Sequence, residues 1–136
     1  MKASEIPAAL LERLTSLEVG SPPLPIAYPD VSFDPATDAP QGKYLEAGYF
    51  RNAPAWEGLS EGVLDQGLLV VSVVWPKGQG VIAMNAAAQA VADHFPKGLT
   101  LKSGSTAVKI NREPVIASPL TEGDKTIVAI SIPWVA

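Results

Sequence analysis

The stretch GLLVVSVVW, residues 67–75, limits the fold more than any other part of the chain. Its β-branched residues fit a pleated strand, and a run without a clear polar face fits a central strand buried on both sides. A turn with Gly78 and Gly80 follows, and then Val81, Met84, Ala88, Val91 and Phe95 recur at spacings of three, four, three and four. That period lays one apolar stripe along a helix of about four turns, which packs on the sheet. Pro96 cannot continue the helical ladder and Gly98 suits a left-handed turn, so the helix ends there.

Other elements assemble around this block. Ile6, Leu10, Leu14 and Leu17, widened by Leu11, predict an N-terminal helix with Ser4 as its cap and Pro7 in its first turn. The proline-rich GSPPLPIAYPD ends it as an extended connector. YPDVSF, with Val31 and Phe33 alternating, and KYLEAGYF are two modest strands, the first short or at an edge because of Pro29. LTLKSGSTAVKI reads as a hairpin about Ser103-Gly104-Ser105, and KTIVAISIPW places Val128, Ile130, Ile132 and Trp134 on one face of a final strand.

Residues 51–66, RNAPAWEGLSEGVLDQ, show neither period and read as the longest irregular stretch. Trp56, Leu59, Val63 and Leu64 within it need cover, from their own domain or from another subunit, and they are the candidate oligomer interface. The whole predicts one domain over 1–136 of the α+β class: a small mixed, mainly antiparallel sheet with two helices packed on one face. The other face is left to solvent or to association, and a sheet with open edges invites partners.

Composition narrows the chemistry. The chain has no cysteine, which excludes disulfides, thiolate metal sites and cysteine nucleophiles. A net charge of −4 without a Lys/Arg cluster argues against a general grip on nucleic acid. Glu5 and Glu12 interrupt the apolar start that a signal peptide needs, and the longest apolar run falls far short of the roughly 20 residues of a membrane span. Synthesis in the cytoplasm and no membrane contact are expected.

The motif Gly78-Gln79-Gly80-Val81-Ile82-Ala83 fits G-x-G-x-x-A, a dinucleotide fingerprint when it opens a Rossmann domain. Here the downstream acid is missing, Lys102 stands in the region where it belongs, and hairpins replace the further βα units. Lys77 precedes the glycines and no hydroxyl follows, so the Walker spacing is absent too. The glycines read as a corner. His94, the lone histidine, sits in a last helical turn, where a cation suits the macrodipole. Asp30, Asp34 and Asp38 lack the alternation and glycine of a calcium loop, and Asp93, Glu113 and Asp124 have no evident catalytic partner. No catalytic, metal or cofactor residue is assigned.

Taken together, IPAALLERL, YPDVSF, KYLEAGYF, GLLVVSVVWPKGQG, the helix ending ADHFPKG and the closing TIVAISIPW resemble the tail terminator-like family of long-tailed bacteriophages. The resemblance covers nearly the whole chain and is most specific from the WPKGQG corner to FPKG. It implies a non-enzymatic virion protein, made in the host bacterial cytoplasm and located in the tail. Such a protein forms a ring, commonly a homohexamer, that caps the tail tube, stops its polymerisation and offers the surface that joins the head. The implied partners are further copies of the chain, the tail tube protein and a head-completion or neck protein, with DNA passing the lumen unbound. An acidic chain suits such a lumen, since carboxylates repel phosphates. Two alternatives stay open: another head–tail adaptor, neck or tail component, and a small-molecule-binding α+β domain.

Overall fold

The computed structural model describes residues 2–17, 24–29, 31, 33–34, 42–51, 55–56, 63–78 and 80–136. Two long strands make its centre: β5 (Gln66–Pro76) and β10 (Lys125–Val135) pair antiparallel along their full lengths, from Lys125↔Pro76 to Val135↔Gln66. β2 (Tyr44–Arg51) lies antiparallel on the other side of β5, and β1 (Ile26–Ala27) adds a short parallel pair to β2. Beyond β10 come β7 (Thr106–Lys109) and β6 (Thr100–Ser103), giving the order β1-β2-β5-β10-β7-β6. The short β8 (Val115–Ile116) and β9 (Leu120–Glu122) also pair with β10, completing an eight-stranded sheet. A separate pair, β3 (Ala55–Trp56) with β4 (Val63–Leu64), sits between β2 and β5 in sequence.

The two helices of the described residues, α1 (Lys2–Thr15) and α2 (Ile82–His94), pack on one face of the sheet, as the α+β reading expects. Ile6, Leu10 and Leu14 of α1 and Met84, Ala88 and Val91 of α2 join Leu69, Val71, Val73, Val128, Ile130 and Ile132 in one core. The alternation predicted for the last strand is present: Val128, Ile130, Ile132 and Trp134 are all buried. The hairpin about Gly104 forms, with Ser103 opposite Thr106, and Gly98 takes a positive φ of 93° after α2.

Several expectations are corrected. α1 starts at Lys2, so Ser4 lies within the helix instead of capping it, and Pro7 is interior. Val31 and Phe33 lie outside any strand, and the edge strand is the earlier Ile26–Ala27. β5 is central but not buried on both sides: Leu69, Val71 and Val73 face the core while Leu68, Val70 and Ser72 are half-buried on the other face. Val81 precedes α2 and is 48% exposed, so the buried stripe begins at Met84. Residues 51–66 are less irregular than expected, because Arg51 still belongs to β2, Gln66 to β5, and β3 and β4 pair between them.

Candidate functional site

The strand registers define the sheet face opposite α1 and α2, which no helix covers among the described residues. Glu46, Gly48 and Phe50 of β2 stand opposite Ser72, Val70 and Leu68 of β5, which stand opposite Ala129, Ser131 and Pro133 of β10. At one end this face has a second small cluster, Ala27, Tyr44 and Val74, against which Phe33 and Ile127 pack, with the Phe33 and Tyr44 rings 5.1 Å apart. Elsewhere it carries large apolar side chains in the open: Phe50 is 56% exposed, and Val115 and Leu120 are each 61% exposed. Exposed apolar groups gathered on one face mark a contact surface more often than scattered ones do. The alternation in KYLEAGYF holds the signal for Phe50, and sequence reasoning passed over Val115 and Leu120 in the proline-flanked stretch between the hairpin and the last strand.

The second feature is the arm that extends the β2–β5 hairpin. Ala55 stands opposite Leu64 and Trp56 opposite Val63, so three of the candidate interface residues come together in one two-stranded ribbon. Leu59 lies outside the described residues.

A bond network holds the base of the arm. Arg51 Nη2 donates to Asp65 Oδ1 at 2.7 Å, and Asp65 is buried. That carboxylate raises the Arg51 pKa further above its ordinary value, chiefly through the hydrogen bond. The Asp65 backbone exchanges two hydrogen bonds with Ala136, extending the β5–β10 ladder past its last strand pair. Gly67 is required here, since a Cβ would overlap the Phe50 carbonyl oxygen and lie 2.7 Å from the Trp134 ring. Tyr49 stacks on Trp134 at 5.7 Å, and burial raises its phenol pKa above the ordinary value.

The positions with possible chemistry do not converge. Gly78 and Gly80 have φ of 89° and 81° with open space where a side chain would stand, which is the geometry of a corner. The residue before α2 is Val81, and no side chain caps the helix. His94 is structural: its Nε2 donates to the Arg13 carbonyl at 2.9 Å while Arg13 Nε donates to the His94 carbonyl at 3.0 Å. Asp34, Asp93, Glu113 and Asp124 are exposed on separate segments, and Asp30 and Asp38 lie outside the described residues. Among the described residues, no three His, Asp or Glu side chains gather where they could hold a metal ion. No helix there is long and apolar enough to cross a membrane.

Among curated proteins nothing matches. Two solved chains share the fold. One is 28% identical, with a TM-score of 0.78 over 96% of this chain and 92% of its own length. The other comes from the virion of a native gene transfer agent particle, 20% identical, with a TM-score of 0.66 over 98% of this chain and 95% of its own. The family model described as phage tail terminator protein matches residues 5–134, from the first turns of α1 to the end of β10. The chain therefore belongs to the phage tail terminator family and is a structural protein of the virion tail.

Proposed function

We propose that the protein closes into a ring, a homohexamer by the family resemblance, which caps the tail tube and stops its polymerisation. The ring then offers the surface to which a head-completion or neck protein joins. The observation that carries this reading is the open sheet face, where Phe50, Val115 and Leu120 are exposed on a chain of this family. A two-layer subunit with such apolar side chains exposed on one sheet face has surface to bury against other virion proteins. The arm supplies a ring contact through Trp56, Leu59, Val63 and Leu64, held at its base by Arg51 and Asp65. DNA passes the lumen without specific binding, in keeping with a net charge of −4.

The mechanism is surface complementarity without bond chemistry or cofactor. A cyclic head-to-tail contact closes the ring, one ring face meets the last ring of the tube, and the other meets the neck. The test is genetic. Phage lacking this protein should make tail tubes of uncontrolled length beside unjoined heads, and supplying the protein should restore both. Tubes of normal length in its absence would refute the reading.

A further inference from the structure

At the end of the open face where Phe33 packs on Tyr44, a pocket of about 320 Å³ lies beside β1 and β2, lined in part by Tyr28, Pro29, Val31, Phe33, Tyr44 and Glu46. Ligand pockets commonly span about 300–1,000 Å³, so this one has room for a single long side chain and none for a large cofactor. Three of its lining residues are aromatic. The Phe33 and Tyr44 rings are 5.1 Å apart and tilted by 41°, and the Tyr28 hydroxyl is engaged with the Thr15 hydroxyl at 2.9 Å.

Glu46 is the one charged residue among the described residues that line the pocket. It is exposed on β2, and no described residue forms a hydrogen bond or ion pair with its carboxylate. Donors beside it are scarce. Pro29 has no N–H, and the Val31 N–H already donates to the Tyr28 carbonyl at 3.3 Å. The lysines at this end of the sheet sit on other groups: Lys43 Nζ is 5.0 Å from the Trp75 ring centre and Lys125 Nζ is 5.8 Å from the Tyr44 ring centre. Neither forms an ion pair with Glu46, and Phe33 and Tyr28 are the rings left for a further cation. Asp34, next to Phe33 in sequence, is exposed, already engaged, and of the same sign as Glu46.

The ligand that complements such a pocket is a cation rich in N–H donors with a flat face. A guanidinium supplies all of this: five donors and no acceptor, a permanent charge, and a plane that stacks on aromatic rings. Its fork matches the two oxygens of a carboxylate. We propose that this pocket receives an arginine side chain presented by another protein of the tail. The inference rests on the reading of this face as a virion contact and names one contact within it.

Nuclear magnetic resonance titration of the full chain with a capped tripeptide carrying a central arginine tests the proposal. The amide signals of Tyr28, Phe33, Tyr44 and Glu46 should shift together and saturate. The same tripeptide with citrulline keeps the shape and loses the charge, and with lysine it keeps the charge and loses the planar fork. Each should bind at least about tenfold more weakly. Glu46→Gln, a change at an exposed position, should weaken the arginine tripeptide by a similar factor and also weaken capping of tail tubes. No shift at these residues, equal binding of the citrulline or lysine tripeptide, unchanged arginine binding in Glu46→Gln, or parent-like capping by that variant would each overturn the inference. A parent chain that binds the arginine tripeptide in this pocket but caps no tubes would support the site and remove the capping reading instead.

Discussion

Arg51 and Asp65 join the last residue of β2 to the residue before β5 through a 2.7 Å charge-assisted hydrogen bond. The bond lies where the central sheet ends and the arm begins, and the Asp65 backbone also ties down Ala136. Substituting Asp65→Ala removes the acceptor from a buried position. The expected loss is about 1–3 kcal/mol of stability in urea unfolding. An unchanged midpoint would show that the pair does not brace the arm.

Gly67 and Gly80 should respond very differently to the same change. At Gly67 an added methyl meets the Phe50 backbone and the Trp134 ring, neither of which can yield easily. Gly67→Ala should cost more than about 3 kcal/mol or prevent folding. At Gly80 space is open and only the positive φ of 81° is strained, so Gly80→Ala should cost about 1–2 kcal/mol. Thermal melts compare the two. If Gly80 serves as a corner alone, millimolar nucleotides should also leave the melting temperature unchanged.

Much of this architecture is readable in the residues, and the failures share a cause. The last strand was legible because its inward set, Val128 to Trp134, alternates with Ala129, Ser131 and Pro133, so one face is plainly richer in large apolar groups. β5 was misread because Leu68 and Val70 are as apolar as Leu69 and Val71, although only the latter pair reaches the core. Burial in a core and exposure on an apolar contact face leave the same mark on a sequence. Val81 misled in the same way, since it fits the helical period but precedes the first turn. Ile26–Ala27 was hidden by its flanking prolines, and it forms because a parallel pair with Leu45 and Glu46 needs only two residues. Trp56 and Val63 were legible as apolar residues needing cover, but their pairing depends on the register carried outward from β2 and β5.

The reciprocal bonds between Arg13 and His94 cross 81 residues of sequence and fasten the C-terminal ends of the two helices together. His94→Ala should lower stability by about 1–2 kcal/mol, read from denaturant midpoints. It should leave any self-association at saturating concentration intact. A variant as stable as the parent would mean that core packing alone sets the helix positions.

Leu120 offers a test of the open face. It is 61% exposed and stands opposite Ile127 on the face without helices. Leu120→Ser should change monomer stability by no more than about 0.5 kcal/mol, as exposed substitutions generally do. If the face contacts other tail components, the same variant should weaken capping of tail tubes in a sedimentation assay. Full capping activity would place that contact elsewhere.

The most direct measurement of the central claim is electron microscopy of tail tubes polymerised with and without the purified protein. With it, tubes should stop growing and one end should carry a closed ring of subunits with a central opening. Tubes that lengthen equally in both samples, with bare ends, would contradict the account.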